Sequence, residues 1–217
     1  MDRLFAITDV KKALNLSGFD AFQAQMKMTP ASRASQRPPD RTGEVRLGGV
    51  LLLLYYKNDE LHLVLTRRRD DLNSHAGQMS FPGGRREVGE TMLLTALRET
   101  EEEIGVGSGT LEVLGQLATL YIPPSDFEVH PYVAWHNDGG QPGFLPNSDE
   151  VAEIIEVPLR SFFDPSMRGE EPWDFRGHSI MVPFYRAGKY KVWGATAMMI
   201  SELVERLYVV SSEAAIR

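Results

Sequence analysis

Apolar residues first gather into an ordered pattern just after Glu44. VRLGGVLLLLYY and LHLVLTRR, separated by the polar KNDE, are two apolar runs joined by turn formers, and they predict a buried β-hairpin that opens the core sheet. LEVLGQLATLYI and FEVHPYVAW read as one strand each, on either side of the loop Pro123-Pro124-Ser125-Asp126. Near the C-terminus Ser179 to Arg186 is a strand candidate, Gly188-Lys189 a turn and Tyr190 to Trp193 the returning strand. Pro183 has no amide hydrogen to give a ladder, so it suits an edge.

The period changes to that of a helix between Thr91 and Gly105. Leu93, Ala96, Leu97, Thr100 and Ile104 fall within about 100° of one another on a helical wheel, a stripe suited to packing on a sheet. A Gly-rich loop with Gly83-Gly84 feeds this helix, Gly89-Glu90-Thr91 enters it and Gly105 closes it, so the unit runs from Phe81 to Val106. Ile200, Leu203, Val204 and Leu207 recur at helical spacing in a last helix from Trp193-Gly194-Ala195-Thr196 to about Val209. At the other end, Asp9 to Leu16, opened by Thr8 or Asp9, and Phe19 to Met28 predict two short helices that serve packing or a homodimer contact. Thr29 to Thr42, rich in Pro, Ser and Arg, is a connector. Residues 1–43 therefore form an N-terminal helical segment with its connector, and 44–217 the main domain.

Composition narrows the picture. With 217 residues and 42% hydrophobic content the chain can close one sizeable core, and no internal repeat divides it. No cysteine is present, which excludes disulfides and thiolate metal sites and is compatible with a reducing, cytoplasmic setting. Met1 to Lys12 lacks the continuous apolar core of a signal peptide, and the longest apolar run, Val50 to Tyr56, is too short to span a bilayer. The net charge of −7 argues against nucleic-acid or membrane-surface binding.

On the helix entered at Thr91, Glu99, Glu102 and Glu103 stand at i, i+3 and i+4, so their carboxylates gather on a face about 120° from the apolar stripe. Like charges at that spacing repel, which makes a divalent cation a natural partner: three carboxylates with nearby carbonyls and waters give the oxygen-only environment of Mg²⁺ or Mn²⁺. For a bare E-T-E-E-E run a solvated acidic face is the commoner meaning. Arg67-Arg68-Arg69 follows a strand end and Arg85-Arg86 lies in the Gly-rich loop. Both groups are expected near the start of the carboxylate helix, where guanidinium groups bind phosphate in a bidentate manner, although any one Arg is as often ordinary solubilising charge.

The surroundings of the acidic run decide between these meanings. Gly84, Glu90, Arg98-Glu99, Glu102-Glu103 and Gly105-Val106 stand at the spacing of the Nudix box, eight defined positions in 23 residues, and the chain resembles a Nudix hydrolase. Thr100 departs from the box, which usually carries an aliphatic residue there; a small change in packing is expected. The resemblance covers roughly Gly48 to Val209 and implies an α/β/α sandwich, a mixed β-sheet between helices, that hydrolyses a small-molecule diphosphate. It implies Glu99, Glu102 and Glu103 as ligands of Mg²⁺ or Mn²⁺, with Glu90 and Arg98 holding them in orientation.

Upstream of the box, Val64-Leu65-Thr66-Arg67-Arg68 and then Gly77, three residues and Phe81-Pro82-Gly83-Gly84 resemble the extra signature of coenzyme A pyrophosphatases. Val64 replaces a Leu, Arg69 stands where Ser or Ala is favoured, and Asn73 where a second Arg is usual. Trp193-Gly194-Ala195-Thr196-Ala197 is similar to the same group. Arg67, Arg68, Arg69, Gly83 and Gly84 are thereby expected at the substrate, as is His75, although a lone His is more often structural. Pro123 to Asp126 is expected to border the substrate. His136 to Gly143 reads as a flexible loop. Glu150, in a segment similar to the Asn-x-x-Glu-Val that comes after the box, is either a supplementary base or ligand or, more commonly for a carboxylate, merely solvated. Coenzyme A is the favoured substrate; ADP-ribose, a nucleotide sugar or a dinucleotide is the alternative that Asn73 favours. A non-catalytic ligand-binding module is the third reading, and the intact acidic set counts against it.

Overall fold

The computed structural model describes residues 5–30, 42–71, 76–138, 140–175 and 177–215. His75, Asn73 and most of the connector lie outside the described residues. Strand β1 (Arg46–Lys57) and strand β2 (Glu60–Arg68) form the expected hairpin, with Leu54 opposite Leu63 and Lys57 opposite Glu60. Asn58 and Asp59 both take positive φ, 52° and 61°, the left-handed pair that lets two residues reverse a twisted hairpin. Strand β3 (Met79–Ser80) pairs with β2, and β4 (Gly83–Arg85) with the first half of β1. Beyond them come β5 (Leu111–Gln116), β6 (Leu120–Ile122), β7 (Phe127–His136) and β8 (Val151–Pro158). The sheet order is β3-β2-β1-β7-β5, with β6 on β7 and β8 on β2; β1 and β7 run parallel from Arg46–Phe127 to Leu54–Trp135, the others antiparallel.

Both faces of this mixed sheet are covered, which is why LLLL reads as one continuous apolar run. Leu51, Leu53 and Tyr55 face one cluster with Val64, Ala134, Ala96 and Ile104, the last two on helix α3 (Met92–Ile104). Leu52, Leu54, Leu61, Leu63 and Leu65 face the other, larger cluster with helices α1 (Ile7–Leu14) and α4 (Gly194–Ala215). The expected stripe Ile200, Leu203, Val204 and Leu207 is buried there, and each such side chain contributes about 1.5–3 kcal/mol. Helix α4 runs six residues past the expected end at Val209. Among the described residues no helix is long and apolar enough to cross a membrane.

Helix α1, two residues earlier than expected, and α2 (Ala21–Met26), shorter than the expected Phe19 to Met28, pack on α4. Glu202, completely buried on α4, ties them together: its carboxylate accepts from Gln25 Nε2 of α2 at 2.7 Å, from Arg206 Nε at 3.0 Å and from Ala118 N at 3.1 Å. Arg206 in turn donates to Ala13 O of α1 and lies over the Phe19 ring. Ala118 belongs to the break Leu117–Thr119 that splits LEVLGQLATLYI into β5 and β6, where one strand was expected.

A second sheet departs further from expectation. Strands β9 (Arg168–Phe175), β10 (His178–Ala187) and β11 (Tyr190–Trp193) pair in the order β11-β10-β9, and Pro183 lies in the central strand. β11 covers only Phe184 to Ala187, so β10 is locally an edge at Pro183, where a missing amide is tolerated. The inward residues Tyr185, Ala187 and Val192 join the larger core cluster.

Candidate active site

Helix α3 is bounded by local chemistry. Thr91 Oγ1 accepts from Leu94 N at 3.2 Å as the N-cap, and Gly105 takes the left-handed φ of 73° that closes the helix while its amide donates to Glu101 O. Ala96, Thr100 and Ile104 of the stripe are fully buried and Leu93 and Leu97 partly so. Thr100 is tolerated there because its hydroxyl donates to Ala96 O at 2.7 Å within the helix. Glu103 overturns the expectation of an exposed acidic face: the register that buries Thr100 and Ile104 carries Glu103 inward too, leaving it 6% exposed.

Glycines bring the backbone against this helix. A Cβ on Gly49 would come closer than 3.0 Å to Met92 O, and one on Gly48 equally close to Gly84 O and the Phe127 ring. A Cβ on Gly83 would meet Gly49 O and Val50, and one on Gly84 would strike the Glu99 carboxylate. Gly84 thus seats Glu99, and the Gly83 backbone bonds the Glu103 carboxylate.

Arg98 organises the outer carboxylates. Its Nε and Nη2 donate to Glu90 at 2.7 and 3.2 Å, while Nη1 donates to Glu99 Oε1 and Glu102 Oε2, both at 2.9 Å. Glu90 also accepts from Glu87 N and Thr95 Oγ1, and these bonds, Arg98 first, hold its pKa down at about 2. Glu99 and Glu103 shift the other way. Burial raises both; for Glu99 the Arg98 guanidinium opposes it, whereas for Glu103 the charges of Glu99 and Glu150 add to it, against a smaller opposing effect of Arg68, and push it up to about 8. Glu103 Oε2 is buried and finds no hydrogen-bond donor among the described residues.

Oxygen-only donors, mutual repulsion and an orphaned buried oxygen are what a hard divalent cation relieves, so the residues fit one. Among the described residues no three carboxylate or imidazole groups already form a cage, and the expected trio is divided: Glu102, its side chain 55% exposed, is held by Arg98.

A NUDIX domain model matches residues 46–176. The chain belongs to the Nudix family. It is 35% identical over 180 residues to the uncharacterized Nudix hydrolase NudL of Photorhabdus laumondii, covering 79% of this chain and 91% of that one. It is 30% identical over 202 residues to Nudix hydrolase 3 of Caenorhabditis elegans, covering 87% and 84%. A MutT/nudix family protein from Enterococcus faecalis shares the fold at a TM-score of 0.56 and 18% identity over 95% of this chain and 76% of that one. The NUDIX domain of Shewanella oneidensis NrtR, solved with ADP ribose, does so at 0.52 and 17% identity over 78% and 93%. Members of the family hydrolyse diphosphates and generally use divalent metal ions, commonly Mg²⁺ or Mn²⁺.

In this Nudix hydrolase the arginine triplet does not act as a unit. Arg67 pairs with Asp70 and stacks 5.4 Å over the Tyr190 ring; Arg69 pairs with Asp71 and donates to Ser148 O. Arg68 alone turns to the carboxylates, 3.5 Å from Glu150 Oε2, and it is beside Glu103 in the last turn of α3 rather than at the helix start. Arg67 and Arg68 end β2 on alternate sides, and Arg69 lies just beyond the strand. Pro123 to Asp126 packs locally, with Tyr121 Oη on Asp126 and Arg46 on Ser125 O. His136, Asp138, Gly140 and Gly143 line, with Gly105, Gly107 and Thr110, a polar depression that includes none of Glu90, Glu99, Glu102, Glu103 and Glu150.

Two contributions were understated or missed in the sequence. Leu145 N and Asn147 N donate to Ile104 O and Glu103 O, so the chain after β7 satisfies the last carbonyls of α3 and delivers Glu150 beside Arg68 and Glu103. Gly48 and Gly49 were not singled out, although a glycine pair inside an apolar strand is itself the signal of a close backbone approach.

Proposed function

We propose that this Nudix hydrolase cleaves the diphosphate of coenzyme A to 4'-phosphopantetheine and adenosine 3',5'-bisphosphate, with Mg²⁺ or Mn²⁺. The observation that carries the reading is the continuity of the upstream signature with the site: Leu65-Thr66-Arg67-Arg68 ends β2, and Gly77 to Gly84 runs through β3 into the glycines under Glu99 and Glu103. Glu99, Glu102 and Glu103 would hold the cation, which would neutralise the diphosphate and lower the pKa of water. Glu90 fixes Arg98, and Arg98 restrains Glu99 and Glu102. Arg68 meets a phosphate oxygen, while Gly83 and Gly84, closed in by Gly49 O, Val50 and the Glu99 carboxylate, bring the substrate-side loop up against those carboxylates. Water attacks phosphorus, the bridging P–O bond breaks with its electron pair leaving on the departing phosphate, and a carboxylate of the Glu99, Glu103 and Glu150 group accepts the proton of the water.

A second reading, hydrolysis of ADP-ribose, a nucleotide sugar or a dinucleotide, is favoured by Asn73 at the signature's second Arg position and by Arg67 and Arg69 being committed to Asp70 and Asp71. Incubation of the full chain with coenzyme A, ADP-ribose and NADH at fixed Mn²⁺, with products read by mass spectrometry, decides between them. Faster formation of 4'-phosphopantetheine is expected; faster turnover of ADP-ribose replaces the first reading by the second.

A further inference from the structure

The segment Trp193-Gly194-Ala195-Thr196 lies on the face of the sheet opposite the catalytic helix, yet it touches the catalytic corner through the backbone. Gly194, at φ 63°, turns β11 sharply into α4, which sets Thr196 in the first turn of the helix. The Thr196 hydroxyl is buried and donates to Met79 O at 3.1 Å, across 117 residues of sequence. Met79 is one of only two residues of β3, and its partner across the ladder is Arg67. Arg67 is gripped by the same corner, its guanidinium over the Tyr190 ring of β11. The one cross-strand pair Arg67–Met79 is therefore held twice from the β11–α4 side.

Beyond β3 lies the floor of the site. Ser80 leads to Phe81, fully buried, and to Pro82, whose carbonyl accepts from Leu51 N at 2.9 Å. The next two residues are Gly83, whose backbone bonds the Glu103 carboxylate, and Gly84, against which Glu99 rests. A two-residue strand has little ladder of its own to fix it; Thr66 Oγ1 adds one hydroxyl contact, 3.2 Å from Ser80 Oγ. Losing the Thr196 hydroxyl leaves the Met79 carbonyl buried without that donor and frees the strand that aims Gly83 and Gly84.

We infer that Thr196 is a positioning residue for the metal-holding carboxylates: from the opposite face of the sheet it clamps β3, and through β3 the glycine corner that seats Glu99 and Glu103. The inference rests on the reading of those two carboxylates as metal ligands.

The test is the Mn²⁺ dissociation constant of the full chain, read from the free-ion paramagnetic resonance signal with no substrate present, beside the melting temperature. Glu103→Gln serves as the baseline for weaker surface sites. Thr196→Val keeps the shape and removes the donor, and it is expected to weaken Mn²⁺ binding roughly tenfold, the scale of a lost orienting contact behind a ligand. Thr196→Ser restores the donor and should restore the affinity. Ser211→Ala removes another buried hydroxyl of α4, bonded to Leu207 O, and should leave Mn²⁺ affinity unchanged. Wild-type affinity in Thr196→Val, failure of Thr196→Ser to rescue, or an equal loss in Ser211→Ala overturns the clamp. Wild-type protein that binds no more Mn²⁺ than Glu103→Gln sinks the ligand reading and this inference with it.

Discussion

Two buried glutamates on opposite faces of the sheet show how environment separates a satisfied structural carboxylate from the one proposed as a metal ligand. Glu202 on α4 is completely enclosed and satisfied, by an amide side chain, a backbone N–H and a guanidinium four residues along its own helix. Glu103 on α3 is almost as deeply enclosed, but Oε2 has no donor among the described residues and its charged neighbours include Glu99 and Glu150. Burying a carboxylate is costly in both cases. For Glu202 three donors offset the cost and tie α2 to the β5–β6 break and to α4, with Arg206 reaching α1; for Glu103 the cost remains as a raised pKa, which a bound cation removes. A satisfied buried charge holds a fold together, whereas an unsatisfied one marks where something else binds.

The sharpest way to break the comparison is Glu103→Gln. Turnover should fall by a factor on the order of 10³ or more, since the variant loses the charge proposed to hold the cation where phosphate charge must be neutralised. Stability should move the other way. The folded protein holds the Glu103 proton more tightly than the unfolded chain, so metal-free wild type loses stability as pH rises from about 4.5 to about 8, and the Gln variant escapes that loss. Without metal, the variant should melt above wild type at pH 8, with the gap closing towards pH 5; a lower melting temperature at pH 8 would contradict the account.

Glu202→Ala is the counterpart. Stranding Arg206 and two further donors should cost about 3–5 kcal/mol in denaturant unfolding, while kcat per folded molecule stays at the wild-type value. A catalytic loss in molecules shown to be folded would erase the distinction between the two residues. Glu90→Gln lies between the extremes: Arg98 loses its anchor and turnover drops about 10- to 100-fold with the fold retained, measurable as kcat beside circular dichroism.

The smallest effect concerns the substrate end. Coenzyme A should exceed dephospho-coenzyme A in kcat/KM by roughly 10- to 100-fold, the worth of one charge-assisted contact to the 3'-phosphate. Alanine at Arg67, Arg68 and Arg69 in turn should narrow that gap at one position at least. Equal kcat/KM for the two substrates in wild type would remove the 3'-phosphate from recognition.

The box was legible because its spacing fixes a helix register and its residues recur together. The glycines, Thr91, Arg98 and the acidic side chains all lie on the predicted helix or its entry. Their burial was not legible: the same wheel that groups Glu103 with Glu99 and Glu102 says nothing about the segment after β7 that brings Asn147 and Glu150 up to it. β9 escaped because RGEEPWDF is charged and carries a proline, a pattern that a solvent-edged strand tolerates and a core strand does not. LEVLGQLATLYI looked continuous because Leu117 and Ala118 are apolar; Leu117 N still donates to Pro131 O of β7, and it is the Ala118 backbone that turns to the distant Glu202 and Gln25. Glu150 and Thr196 act across long sequence separations, which no local period reveals.

The central claim is that Glu103 is a buried carboxylate held ready for a cation. Calorimetric titration of the full chain with Mn²⁺ at pH 7, in two buffers of different ionisation enthalpy, counts the protons released on binding. With Glu103 at about 8, wild type should release close to one proton per site and Glu103→Gln should bind weakly and release none. Equal affinities with no proton release from either protein would contradict the account.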